Sequence, residues 1–351
     1  MHIGLLLSHS GPFAETARQV VDFEAVGVDT VLLPEAYTFD SVSRLGYLAA
    51  HTSRMGIASG IINAYSRSPA LIAMTAAGLD DLSGGRFTLG LGASGPQVVE
   101  GFHGVPYKAP LSRLREVVEI CRTVWQRDPL RHEGRHFQVP LTAERGGTGA
   151  EAKALRLINH PVRPRIPIVL AALGARTVEL AAELCEGWQP TLYLPEAAGE
   201  VFGPALEAGR ARRDSSLPPL EVLVDIKVRI SEDERELEEG RRAVRDYLAL
   251  YIGGMGGRGR NFYHGLVCRY GFETEANLVQ DLYLAGHKEE AAAAVPDALV
   301  DGLSLVGSQA AVTARIEALR ASGVTGFQAS PVARTHEQRV QDIGLLKKLT
   351  V

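Results

Sequence analysis

Short apolar, β-rich runs alternate with amphipathic helical patterns along almost the whole of this 351-residue chain, and that alternation most constrains its fold. Strands are expected at residues 2–7, 30–33, 56–62 and 87–91, and again at 168–171, 187–192, 221–230 and 326–329. Between them the spacing predicts helices. In 13–26 apolar residues recur every three or four positions until Gly27 ends the pattern. Residues 69–82, 111–126, 177–185 and 312–321 read the same way. Eight strands separated by helices is the count of a closed parallel barrel, whereas an open doubly wound sheet usually stops at about five or six. The expected fold class is α/β: a TIM (β/α)8 barrel formed by one domain over 1–351, with insertions near 127–167 and 253–305. The first insertion carries Gly146-Gly147-Thr148-Gly149. The second begins with a glycine-rich run, 253–260, and holds an alanine-rich helix near 289–295.

Apolar residues make up 46% of the chain and charged residues 22%, ordinary globular usage with ample material for a core. A net charge of −4 and the lack of a basic stripe argue against nucleic acid as a partner. The opening Met1-His2-Ile3-Gly4-Leu5-Leu6-Leu7 is too short, and lacks the positive flank, for a secretory signal; it reads as a buried strand. No uncharged stretch approaches the roughly 18–20 residues that span a bilayer. Cys121, Cys185 and Cys268 are widely spaced with no CxxC, as expected of reduced thiols in a cytoplasmic protein.

Three groups of residues are candidates for chemistry. Residues 90–95, Gly-Leu-Gly-Ala-Ser-Gly, formally match GxGxxG after a strand, but Pro96 and the following glycines break the long helix that a dinucleotide fold needs. They read instead as a glycine-rich loop at the carboxyl end of a barrel strand, where main-chain amides can approach a ligand, or as a plain turn. At Ala172-Leu173-Gly174-Ala175-Arg176 a strand runs through glycine into a helix, which leaves amides and a positive helix terminus to seat a phosphate. Arg176 adds charge there or is simply solvated. Polar residues also follow the first three strands: Ser8 and His9, Glu35 and Tyr37, Ser59 and Asn63. Such rim groups serve binding or acid–base work, although Glu35 is equally readable as a helix cap or a salt-bridge partner. The ten histidines form no HxH or HExxH and no Cys/His cluster, so no metal site is expected. GxSxG and Walker motifs are absent as well.

The run 68–77, Ser-Pro-Ala-Leu-Ile-Ala-Met-Thr-Ala-Ala, continues through 79–87 and 89–98 in a pattern that resembles the luciferase-like monooxygenase superfamily. Within it, the chain is similar to the F420-dependent oxidoreductases. Residues 166–172, 253–263 and 281–286 add to the likeness, which covers nearly the whole chain. The resemblance implies a TIM barrel that binds coenzyme F420 at its carboxyl rim, with FMN as the alternative cofactor. It implies a non-proline cis peptide in the third strand, by position Ser59–Gly60, and a cofactor site built from Glu35, Ser59, Gly60, Asn63, Ala93, Ser94, Gly95, Gln97, Ala172, Leu173, Gly174 and Arg176. The chain departs from the family pattern at Ala36, where several relatives carry histidine, and at Pro96, near a glutamate proposed as proton donor in one branch. It departs again at Gly174-Ala175, where a Gly-Pro pair is expected.

The activity implied is hydride transfer between the deazaflavin C5 and a small organic substrate, with Glu35 or Tyr37 handling the accompanying proton. Arg258 and Arg260 are candidates for the cofactor's anionic tail. Two alternatives stand beside this: an FMN-dependent monooxygenase using reduced flavin and oxygen, and a non-catalytic flavin-binding barrel. No nucleic-acid or membrane partner is expected, and a homodimer is common among the families resembled.

Overall fold

The computed structural model describes residues 1–8 and 11–351; His9 and Ser10 lie outside the described residues. The strands in chain order are β1 (His2–Leu6), β2 (Thr30–Leu33), β3 (Gly56–Ser59), β4 (Ile62–Asn63), β5 (Phe87–Gly92), β6 (His132–Glu133) and β7 (Gln138–Val139). They continue with β8 (Ile168–Ala171), β9 (Gly187–Gln189), β10 (Glu221–Ile230), β11 (Ser304–Gly307) and β12 (Gly326–Pro331). Parallel pairing runs β12-β1-β2-β3-β5-β8-β9-β10 and returns from β10 to β12, so the sheet closes. This is a closed eight-strand parallel barrel with helices around it, β3 and β4 being two pieces of one barrel strand. The eight expected strands all take part.

The core follows from this closure. Strands buried on both faces carry apolar residues at almost every position, and Ile3, Val31, Ile57, Phe87, Leu170 and Phe327 are fully buried. The two buried indoles satisfy their N–H groups on nearby carbonyls: Trp125 on Ala73 at 3.0 Å and Trp188 on Ala172 at 2.9 Å. Helix starts follow local chemistry. The Ser68 hydroxyl accepts from the Leu71 amide at 3.2 Å and Pro69 occupies the first turn, so the helix Pro69–Leu82 begins where the sequence says it should.

The structure departs from expectation at three places in the sheet. The run 56–62 is not one strand. Gly60 N–H still bonds the Leu33 carbonyl at 2.9 Å, and only then does the chain break step before Ile62 and Asn63 pair with Leu91 and Gly92. The cis peptide is correspondingly Gly60–Ile61, one bond later than the expected Ser59–Gly60, because Ser59 remains in register opposite Leu33. Residues beyond Gln189 leave the sheet earlier than the expected 192. And β11, which starts at the end of the stretch 253–305 read as insertion and runs on to Gly307, is an extra parallel strand. It pairs with Lys227–Ile230, on the edge of the long β10 whose other end pairs with β9, while β12 takes the opposite edge.

The stretch 127–167 holds the β6–β7 hairpin and two single turns of 3-10 helix. Glu116 anchors it by accepting from the amides of Arg135, His136 and Phe137 at 2.9–3.1 Å. After β10 come the helix Glu234–Ala249, a π-helical segment Leu250–Gly254, and the helices Phe262–Arg269, Glu273–Leu284, Lys288–Ala293 and Asp297–Gly302. No helix among the described residues is long and apolar enough to cross a membrane.

Candidate functional site

A cavity of about 1480 Å³ opens at the carboxyl ends of the barrel strands. Its walls include Glu35 and Tyr37 after β2, Gly60, Ile61 and Asn63 around the β3–β4 break, Gly92 through Val98 from the end of β5 onward, and Ala171 through Gly174 from the end of β8 onward. Of the expected cofactor residues, ten line this cavity: Glu35, Gly60, Asn63, Ala93, Ser94, Gly95, Gln97, Ala172, Leu173 and Gly174. Two do not. Ser59 is fully buried behind the wall, where its hydroxyl donates to the Gly90 carbonyl at 2.8 Å. Arg176 points away as an exposed residue of the first helical turn.

The wall has defined polarity. Asn63 is buried; its Oδ1 accepts from the Tyr65 amide at 2.9 Å, which fixes the amide orientation, and its Nδ2 has no partner among the described residues. A buried donor left this way costs roughly 1–3 kcal/mol unless an acceptor meets it. Gly90 permits the β3–β5 contact behind it, since a Cβ there would collide with the Ser59 carbonyl oxygen. Ser94 takes a left-handed conformation (φ 57°), and its carbonyl accepts from the Tyr107 hydroxyl at 3.2 Å. Burial pushes the Tyr107 phenol up to about 12, so it stays a donor. The helix Ala175–Leu184 starts at Gly174 with no side-chain cap, which leaves its first turn available to an anion. The exposed Arg269 lies against the same turn, its guanidinium 3.5 Å from the Leu173 carbonyl.

Glu35 is held more tightly than a rim acid–base group needs. Arg67 grips both carboxylate oxygens, at 2.7 and 2.8 Å, and the Ser41 hydroxyl and amide donate at 2.7 and 3.1 Å. Burial works to raise its pKa, but these hydrogen bonds and the Arg67 charge outweigh it and hold the carboxyl below its ordinary range. That geometry suits a fixed anion. Tyr37 is 68% exposed at the cavity mouth, its ring tilted against Phe102 at 6.4 Å. Of the two arginines suggested for an anionic tail, Arg260 lines the cavity and Arg258 is ion-paired with Asp281.

The opposite wall was not foreseen. Gln189 at the end of β9, Thr191 beyond it, Asp225 and Lys227 on β10, and Tyr247, Tyr251 and Tyr263 all face the cavity. Asp225 and Lys227 carried a signal: two charges at alternate positions of an otherwise apolar run place both on one face of a strand that should be buried. The tyrosines gave none, because their convergence depends on packing. Tyr247 and Tyr251 are one helical turn apart, with ring centroids 4.4 Å apart, and Tyr263 lies edge-on to Tyr251 at 4.7 Å. Asn261 fastens this arrangement. Its amide nitrogen donates to the Tyr251 and Ile252 carbonyls freed in the π-helical segment, and its oxygen accepts from the Tyr263 and His264 amides.

No group of three or more His, Cys, Asp or Glu side chains is placed to hold a metal ion among the described residues. All three cysteines are free, and burial pushes the Cys121 and Cys185 thiols up to about 12, so neither serves as a nucleophile.

A closed parallel barrel with a large polar-edged cavity at its carboxyl rim is the architecture of a (β/α)8 enzyme. The family is fixed by comparison: the profile of the luciferase-like monooxygenases matches residues 1–326, and the chain belongs to that family. It is 40% identical over 330 residues, 93% of each chain, to a Mycobacterium tuberculosis protein named provisionally as a coenzyme F420-dependent oxidoreductase. It is 28% identical over 328 residues to the 5,10-methylenetetrahydromethanopterin reductase of Archaeoglobus fulgidus, covering 92% of this chain and 91% of that one. In fold it matches the coenzyme F420-dependent tetrahydromethanopterin reductase of Methanopyrus kandleri with a TM-score of 0.81 at 23% identity, over 98% of this chain and 97% of the other.

Proposed function

We propose that this chain is an F420-dependent oxidoreductase that exchanges hydride with a small organic substrate in the rim cavity. The observation that carries the reading is the pairing, on one cavity wall, of a buried unpartnered donor at Asn63 with an uncapped helix start at Gly174. A flavin-type ring needs the first for a ring carbonyl, and a phosphate needs the second. The names of the relatives at 40% and 28% identity favour the deazaflavin over FMN. When bound, the deazaflavin supplies hydride exchange at its C5.

The chain's own residues do the rest. Gly60, Ile61 and the main chain at Ala93, Ser94 and Gly95 form a surface that a flat ring can lie against, with the Gln97 side chain at its edge. Ala172, Leu173 and Gly174 carry the phosphate, with Arg269 and Arg260 as the nearby cations and Arg176 further out. Glu35, clamped by Arg67, keeps the β2 rim in shape, and Tyr37 closes over the mouth. In a dry cavity the walls fix orientation and exclude water from the reacting atoms.

The exposed Tyr47, Leu71, Met74 and Leu82 on two neighbouring helices form an apolar face for a second copy, and sedimentation would test this dimer. Three unpaired cysteines suit the reducing cytoplasm as the site of action. The test of the function is parallel titration with F420 and FMN, oxidised and reduced, followed by cofactor fluorescence. Selective binding of F420 supports the reading, and selective binding of reduced FMN overturns it.

A further inference from the structure

The cavity wall formed by β10 and the tyrosine cluster brings a carboxylate, an ammonium and three phenols together on one side of the site. Asp225 sits there with Oδ2 accepting from the Tyr247 hydroxyl at 2.9 Å, while Oδ1, shielded from solvent, has no partner among the described residues. The Lys227 ammonium stands 4.2 Å from the centroid of the Tyr247 ring. The Tyr251 hydroxyl is hydrogen-bonded to its neighbour Tyr247, the Tyr263 hydroxyl has no side-chain partner of this kind, and both residues line the cavity. Burial, with the Asp225 charge added, keeps both phenols protonated.

We propose that Asp225 and the Tyr251–Tyr263 pair form the substrate-recognition site, and that the substrate presents a hydroxyl group on an apolar body; this rests on the oxidoreductase reading above. The argument is one of complementarity. Protonated phenols donate, and the free oxygen of Asp225 accepts. A hydroxyl is the simple group that can accept from a phenol and donate to a carboxylate through the same oxygen. A ketone can meet only the phenols. A carboxylate can accept from the phenols but lies beside the Asp225 charge, and an ammonium can donate to Asp225 but has no lone pair to accept from a phenol and lies near Lys227. The aromatic faces that make up the remainder of this wall ask for an apolar body behind the hydroxyl.

Three probes with one ring separate these possibilities: cyclohexanol, cyclohexanone and cyclohexylammonium. Binding is read without cofactor from the ring resonance of Tyr247 in 13C-tyrosine-labelled protein, assigned with Tyr247→Phe. Cyclohexanol is expected to bind about fivefold or more tightly than either of the others, and Asp225→Asn to reduce that preference to about twofold or less. The double variant Tyr251→Phe/Tyr263→Phe checks the phenols independently, because it weakens alcohol and ketone together and leaves the preference in place. Equal or tighter binding of the ketone or the ammonium overturns the proposal. So does a preference that survives Asp225→Asn, unchanged affinities in the double variant, or no saturable binding of cyclohexanol to the unaltered protein. A chain that prefers the alcohol but does not take up F420 keeps this inference and loses the cofactor reading, and F420 uptake without the preference does the reverse.

Discussion

Glu35 and Arg67 form a two-pronged ion pair, each guanidinium nitrogen within 2.8 Å of a different carboxylate oxygen, with the side chains 9% and 14% exposed. A pair this sheltered is costly to break from one side, because the Arg67 charge keeps its burial and is left to the more exposed Asp40 carboxylate, 2.8 Å away. Glu35→Gln is expected to lower stability by about 2–3 kcal/mol, read as a shift in the urea midpoint. It is also expected to leave the shape of the pH–rate profile unchanged, since the carboxylate is already committed. Loss of one limb of that profile in the variant would restore Glu35 as the proton carrier.

Asn63 tests the cofactor wall without disturbing its frame. Asn63→Asp keeps the oxygen that receives the Tyr65 amide and replaces the unpartnered donor with an acceptor. Cofactor affinity is expected to fall about tenfold, or 1.4 kcal/mol, and the unfolding midpoint of the free protein to fall as well, because the new carboxylate is buried. Equal affinity for F420 in the variant removes Asn63 from the cofactor site.

Asn261 holds two tyrosine-bearing segments through four main-chain groups. Asn261→Ala leaves two carbonyls and two amides without it, at an expected cost of about 3 kcal/mol, less if water enters. Because Tyr251 and Tyr263 would lose their fixed spacing, near-ultraviolet circular dichroism is expected to weaken in step with stability. A stable variant with an unchanged aromatic spectrum contradicts this role.

What could be read from the sequence follows from how local each signal is. The helix Pro69–Leu82 was readable to its ends because Ser68-Pro69 starts it and Gly84 and Gly85, both left-handed, stop it. The break after Ser59 was hidden in a continuous apolar run, since only the pairing with β5 shows that Ile62 belongs to a separate piece. β11 is four residues of a kind common in any core, and its partner lies about 75 residues earlier, a separation that periodicity does not report. On the site, the glycine-bearing turns announced themselves, because loops that approach ligands need small residues. The β10 charges, Asp225 and Lys227, are legible as a polar pair on one face of an otherwise apolar strand. The tyrosine wall is not, because it requires the widened helical segment and its Asn261 clasp.

Glu24 links the fold to pH. From the end of the helix Phe13–Ala25 its Oε1 accepts from the Ser53, Arg54 and Met55 amides at 3.0, 2.7 and 2.7 Å, which pins the turn that leads into β3. Burial pushes its pKa upward, but the three amides and the Ser53 hydroxyl outweigh that and hold it below the ordinary glutamate value. A carboxyl depressed in the folded state favours folding fully above its unfolded pKa of about 4.3, and that contribution is lost as pH falls through the folded value. Glu24→Gln keeps an accepting oxygen and loses the charge, so it is expected to cost about 1–2 kcal/mol at pH 7. Urea unfolding of both proteins from pH 7 down to pH 3 should show the two midpoints drawing together below about pH 4.5. A gap that stays constant, or widens toward acid, means that the Glu24 charge contributes nothing to holding this turn.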